Sequence, residues 1–166
     1  MILDIQHRAT RIEYPASSNE YREPRMHKTL KHSLEIEVKF SEADPLGIVW
    51  HGHYIRYFED GREAFGKAYG LRYLDLYREN IVIPIVKIDC DYKKILRYSH
   101  RVRLETTYHD SKAAKLMFKY TMFDINTNEV IATGSSMQVF TNKETMELML
   151  TIPPFMEDWK KKWLND

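Results

Sequence analysis

The sequence predicts an α+β domain in which one antiparallel sheet curves around a single long central helix, with a short helix at its C-terminal end. Three observations lead there. Apolar and charged residues alternate along 32–40, as a half-buried strand requires. The periodicity then switches to helical over 53–69. Four further alternating runs follow before the chain ends in an amphipathic segment. One helix cannot cover both faces of such a sheet, so a lone flat sheet would expose apolar surface. Strong curvature around the helix, with further burial in an oligomer, is the simplest remedy. A flat sheet with the helix on one face is the alternative that pattern alone leaves open.

In HSLEIEVKF (32–40), Leu34, Ile36, Val38 and Phe40 share one face and Glu35, Glu37 and Lys39 the other. Over 53–69, at about 100° per residue, Tyr54, Phe58, Gly61, Phe65 and Ala68 line one stripe. Arg56, Asp60, Glu63 and Lys67 line the opposite one. Gly61 lies on the apolar stripe at a cost of about 1 kcal/mol relative to alanine. Close approach of the helix axis to a sheet is the natural offset. Gly70 fits a C-cap. Next come Val86, Ile88, Cys90 and Tyr92, then RVRLETTY (101–108), KLMFKYTM (115–122) and EVIATGSSMQVFT (129–141), read as a meander. DINTN (124–128) and HDSKA (109–113) carry hairpin-turn chemistry. PPFMEDWKKKWL starts with prolines and spaces Phe155, Trp159 and Trp163 four apart, as a short amphipathic helix does.

The chain has 166 residues, 43% hydrophobic and 30% charged, which fits one domain with a real core over 31–166. Residues 1–30, with the polar, proline-bounded PASSNEYREPR at 15–25, read as an N-terminal extension. The net charge of +1 supplies no global field toward nucleic acid or an anionic membrane. No apolar run approaches the roughly 20 residues of a membrane span. The charged N-terminus lacks the apolar segment of a secretory signal. The single cysteine, Cys90, excludes an intramolecular disulfide framework and fits a reducing compartment, so the expected location is the cytoplasm. Cys90 sits in a strand pattern with no activating partner in view and reads as core rather than nucleophile.

The stretch EADPLGIVWHGHYIRYFEDGREAFGKAYGL (42–71) is the specific one. It resembles the signature of the 4-hydroxybenzoyl-CoA thioesterase family of hot-dog-fold proteins. The carrying positions are Asp44, Gly47, Ile48 to His51, Tyr54, Phe58, Glu59 and Arg62, and the element order extends the likeness to roughly 33–142. The resemblance implies a hot-dog fold, assembled as a homodimer or homotetramer with sites at subunit interfaces. It also implies hydrolysis of an acyl-CoA thioester without metal or redox cofactor. Three features depart from it: the N-terminal extension, His100 where many members carry an aspartate, and the C-terminal tryptophan helix.

Thioester hydrolysis needs a nucleophile or a base for water, and donors for the oxygen that becomes negative. Asp44 answers the first need. Pro45 disfavours the helical region for it and so holds its backbone extended at a strand end. Direct attack and general-base action both remain open. Helix N-terminal N–H groups answer the second, and the resemblance assigns them to His51 and Gly52. The His51 ring either holds the thioester or water, or matters less than its backbone. His53 lies on the polar side of the helix. An H-x-H metal site is not expected, because no third ligand is near and helical pairs usually sit at i, i+4.

Glu59 is either a catalytic or water-orienting carboxylate or the partner of Arg62 in a local ion pair. Gly47, Val49, Trp50, Gly52 and Tyr54 are expected to border the substrate. From Tyr92 to Leu104 there are five Lys or Arg residues and no carboxylate. Of these, Lys93, Lys94 and Arg97 are expected to meet the CoA phosphates, against the alternative of a solvated basic loop. The expected function is acyl-CoA thioesterase. The alternatives are hydrolysis of acyl groups from a carrier protein, and a non-catalytic acyl-CoA-binding protein of the same fold.

Overall fold

The computed structural model describes residues 29–164, so the expected extension lies almost wholly outside the described residues. The elements are β1 (Lys31–Glu37), a single 3₁₀ turn (Phe40–Glu42), α1 (Gly52–Tyr69), α2 (Tyr73–Arg78), β2 (Ile81–Val82) and β3 (Ile85–Tyr92). They continue with β4 (Arg101–His109), β5 (Lys115–Asp124), β6 (Val130–Val139), β7 (Thr141–Asn142) and α3 (Pro154–Leu164). Five strands form one antiparallel sheet in the order β1-β4-β5-β6-β3.

That order corrects the meander. Strands β4, β5 and β6 follow one another, but β3 lies at the far edge beside β6, and the chain crosses back to reach β4. The last long strand is also two pieces. β6 ends at Val139, and Thr141–Asn142 pairs instead with Ile81–Val82. Phe40, expected on the buried face of the first strand, is 78% exposed, because the strand has already given way to the 3₁₀ turn.

The helix lies across the middle strands. Phe58 stacks on Tyr120 of β5 with ring centroids 4.4 Å apart, and Phe65 meets Phe118 edge-on at 5.3 Å. Both phenylalanines are fully buried, each contributing about 1.5–3 kcal/mol. Between them Gly61 touches β4. A Cβ there would lie 2.5 Å from Thr106 Oγ1 and 2.7 Å from Leu104 Cδ2. The glycine therefore does what the apolar stripe implied. Gly70 takes the left-handed conformation (φ 71°), and Leu71 N–H closes onto the Gly66 carbonyl. Ala68, placed on the apolar stripe by periodicity, is exposed near the end of the helix.

Helix α3 seals the C-terminal end of α1. Trp159 Nε1–H donates to the Tyr69 carbonyl at 2.8 Å, and its ring meets Tyr108 edge-on. Lys160 Nζ reaches Asp110 Oδ1 at 2.7 Å and the Ser111 carbonyl at 2.6 Å. The 124–128 hairpin forms as its residues suggest. Asp124 Oδ1 accepts from the N–H groups of Asn126 and Thr127, and these bonds hold its carboxyl below the ordinary range. Among the described residues no helix is long and apolar enough to cross a membrane.

Candidate active site

The segment from β1 to α1 builds one wall of the site. After the 3₁₀ turn, Ala43 bridges to Val49 and closes a tight reversal. Asp44 heads that reversal, seven residues beyond the end of β1 rather than at the strand end itself. Pro45 and Leu46 are its central residues, and the Gly47 N–H returns to the Asp44 carbonyl at 2.9 Å. Proline at this position presets φ for the turn, and Gly47 takes the positive φ of 71° that follows. The Asp44 Oδ1 accepts from Leu46 N–H at 2.8 Å and more distantly from Ile48 N–H at 3.4 Å. No described residue donates to Oδ2. One carboxylate oxygen is thus anchored and the other is not.

The start of α1 forms the floor. His51 is helical (φ −53°, ψ −31°), and its side chain does not cap the helix. Its own N–H and that of Gly52 make no hydrogen bond to any described residue. The Trp50 indole packs against the His51 ring at 4.7 Å and lies directly over Gly52, where any Cβ would collide with it. The absence of a side chain at Gly52 leaves room for this ring, and its φ is not positive.

The second wall comes from the end of β3 and the residues after it. Val49 N–H donates to the Leu96 carbonyl at 2.9 Å, and Ile48 bridges to Arg97. Tyr92 Oη–H donates to the His51 carbonyl at 3.2 Å, and its ring meets Tyr54 edge-on at 4.9 Å. Burial raises both phenols above their ordinary range, and the neighbouring Cys90 thiol raises Tyr92 further. Cys90 is half-buried against the core and is itself pushed up by burial.

These walls enclose a cavity of about 300 Å³. Asp44, His51, Val49, Tyr54, Lys93 and Lys94 all line it, so six of the residues expected from sequence meet there. Ile48, one of the positions that carry the resemblance, lines it too, as do Tyr92, Ile95 and Leu96, which sequence reasoning does not place at the site. The apolar pair Ile95–Leu96 interrupting a basic run is the signal that could have found them. Gly47 and Arg97 stand beside each other just outside, and Trp50 and Gly52 cover the helix start. Glu59 is exposed on α1 and does not line the cavity.

The local ion pair between Glu59 and Arg62 does not form. Arg62 is only 5% exposed and donates to Tyr73 Oη at 3.0 Å, Tyr120 Oη at 3.3 Å and Ser136 Oγ at 3.4 Å. The basic run is also less free than its sequence suggests. Lys93 pairs with Asp91 at 3.5 Å, Lys94 with Glu129 at 2.5 Å and Arg101 with Glu35 at 3.0 Å. Arg97 has no carboxylate partner among the described residues.

Comparison with known proteins identifies the family and the fold. The sequence matches the thioesterase-like superfamily over residues 38–160. YneP of Bacillus subtilis (strain 168), a protein named as an acyl-CoA thioesterase, is 31% identical over 113 residues, covering 68% of this chain and 81% of its own. Among solved structures, a DHNA-CoA thioesterase from Staphylococcus aureus superposes with a TM-score of 0.72 at 25% identity, over 80% of this chain and 89% of that one. A 4-hydroxybenzoyl-CoA thioesterase with an Asp-to-Asn substitution, bound to 4-hydroxybenzoyl-CoA, gives 0.68 at 16% identity over 78% and 97% of the two chains. That second likeness speaks to the fold alone. The fold is the hot-dog fold.

Proposed function

Since this chain belongs to the thioesterase-like superfamily, we propose that it hydrolyses acyl-CoA thioesters to a free acid and CoA. The observation that carries the reading is the meeting of an aspartate and a helix N-terminus across one cavity. Asp44, with its unengaged Oδ2, and His51, whose N–H is free at the start of α1, border the same space, and the free Gly52 N–H follows next in the chain.

Asp44 is the nucleophile or the general base. As nucleophile, Oδ2 adds to the thioester carbonyl carbon, the C–S bond breaks, and CoA leaves as a thiolate that takes up a proton. Water then cleaves the acyl anhydride and returns the carboxylate. As base, Asp44 takes a proton from water as the water oxygen bonds to the same carbon, and the tetrahedral adduct expels the thiolate. Both routes place negative charge on the carbonyl oxygen, which the N–H groups at the start of α1 receive. One such donor is typically worth about 3–4 kcal/mol.

Tyr54 and Val49 offer the acyl group an apolar wall, beside Gly47, Trp50 and Gly52. Lys93, Lys94 and Arg97 offer charge to the CoA phosphates. Glu59 takes part only where a second copy of the chain brings it against a cavity. The edge strand β3 leaves Val86 56% and Ile85 41% exposed, which supports assembly into a homodimer or homotetramer. A cytoplasmic location accords with the one unpaired cysteine.

The test is free-thiol release from a panel of acyl-CoAs, with Asp44→Asn beside wild type. The variant should lose at least about a hundredfold in turnover, roughly 2.7 kcal/mol. Equal turnover would overturn the role of Asp44. Failure on every thioester, with retained acyl-CoA binding, would leave a binding protein. Hydrolysis confined to carrier-protein thioesters would move the substrate class.

A further inference from the structure

Glu42 has no part in the chemistry proposed above, yet it is a carboxylate only 8% exposed. A buried carboxylate is costly unless hydrogen bonds satisfy it, and a strand-to-helix connection does not need one. Its bonds explain its presence. Oε2 accepts the Tyr57 hydroxyl at 2.7 Å and the Lys39 N–H at 2.8 Å. Its backbone carbonyl accepts the Trp50 N–H at 3.0 Å, and its own N–H returns to the Lys39 carbonyl at 3.1 Å. One residue therefore ties together the exit from β1, the residue just before His51, and the body of α1.

The position of these ties matters. Glu42 and Trp50 flank the Ala43–Val49 bridge, so their bond closes the base of the reversal headed by Asp44. Tyr57 lies in the second turn of α1 and is 2% exposed, held by the helix itself. Among the described residues, its bond to Glu42 is the one side-chain hydrogen bond from segment 38–50 to α1. Burial, and then the Glu42 carboxylate, push the Tyr57 phenol far above its ordinary range, so the hydroxyl stays a donor.

We infer that Glu42 and Tyr57 form a buried clamp that fixes the Asp44 turn against the start of α1. They are positioning residues for the proposed hydrolysis, and the catalytic half of this inference rests on that reading. A reacting carboxylate and its oxyanion donors must keep a fixed separation, and a displacement of about 1 Å can cost a hundredfold in rate. The rigid helix supplies the reference, and the clamp transmits it to a turn that is otherwise exposed.

The experiment uses the full chain with Tyr57→Phe and Glu42→Gln. Amide hydrogen exchange and steady-state hydrolysis of an acyl-CoA are both measured. In Tyr57→Phe, exchange at the Leu46, Ile48 and Trp50 amides should rise at least about tenfold while the β5 amides keep their protection. Its kcat should fall by about tenfold to a hundredfold, with KM changed less than about threefold. Glu42→Gln keeps an oxygen that accepts from Tyr57 and Lys39, so it should retain most of both.

Unchanged exchange in the turn would overturn the clamp whatever the activity. A loosened turn with unchanged kcat would overturn its part in positioning. A loss in Glu42→Gln as large as that in Tyr57→Phe would show that a neutral acceptor at position 42 does not hold the turn, and would also overturn the claim that the hydrogen bond does so. If wild type cleaves no thioester, the proposed function fails, and exchange alone decides whether the clamp holds the turn.

Discussion

Replacing Gly61 by alanine separates two opposite expectations by sign. On an open helix face, Gly→Ala stabilises by about 1 kcal/mol through helix propensity. At position 61 the new Cβ would sit 2.5 Å from Thr106 Oγ1 and 2.7 Å from Leu104 Cδ2. The Thr106 hydroxyl has no hydrogen-bond partner among the described residues, so its rotation away forfeits none there. Leu104 is fully buried and has nowhere to go. Relief must therefore come from α1 lifting off β4 by several tenths of an ångström. Overpacking of this kind costs about 1–3 kcal/mol. Taking about 2 and subtracting the propensity gain leaves a net destabilisation of about 1 kcal/mol. For a domain of this size that is about 2–4 °C in Tm.

Denaturant unfolding at fixed protomer concentration would measure it, with Leu104→Val and the double variant completing a cycle. The shortened side chain should recover part of the loss, giving a coupling of at least about 0.5 kcal/mol. A Gly61→Ala protein more stable than wild type would refute the claim of close helix–sheet contact.

Three further outcomes are expected. Burial alone would raise the Asp110 carboxyl, but the Lys160 ammonium bonded to it holds it below the ordinary range. Its stabilisation is therefore present above the unfolded value of about 3.9 and lost as pH falls through the lower native value. Lys160→Met should cost about 1 kcal/mol near neutral pH, and the gap to wild type should close below about pH 4, as urea melts at several pH values would show. Arg62 is buried among hydroxyls, with no carboxylate partner among the described residues. Arg62→Met should therefore change stability by less than about 1 kcal/mol, whereas Arg62→Ala should lose about 2–5 kcal/mol to the cavity it leaves. Neutralising Lys93, Lys94 and Arg97 together should raise KM for acyl-CoAs at least about tenfold with kcat little changed. An unchanged KM would remove these residues from phosphate binding.

What could be read from the sequence was what is local. Two opposed stripes place α1, and Gly61 on the apolar one announces the contact with Leu104 and Thr106. Asp44, His51 and Tyr54 meet in space because ten residues of chain, one turn and one helix start hold them. The rest depends on contacts distant in sequence. Helix α2 spans only Tyr73–Arg78 and buries Leu76 alone, too little for a period to register. Placing β3 beside β6 rather than β4 is a choice among pairings that each strand's alternation allows equally. Arg62 and Glu42 carry charge, and nothing in their local sequence signals burial. Only their partners, the hydroxyls of Tyr73, Tyr120 and Ser136 for one and of Tyr57 for the other, make their burial tolerable.

The crossing from β3 back to β4 has a consequence for how this protein can change. Apart from Tyr92 at the end of β3, both walls of the cavity, 44–51 and 93–96, are connections hung on a rigid frame rather than faces of the sheet. They are joined to each other by backbone bonds, Val49 N–H to the Leu96 carbonyl and the Ile48–Arg97 bridge, which do not depend on side-chain identity. Substitutions at the exposed Ile95 can therefore reshape the wall facing Asp44 while the core beneath α1 stays as it is. The shape of the cavity at this crossover can change without drawing on the stability of the sheet.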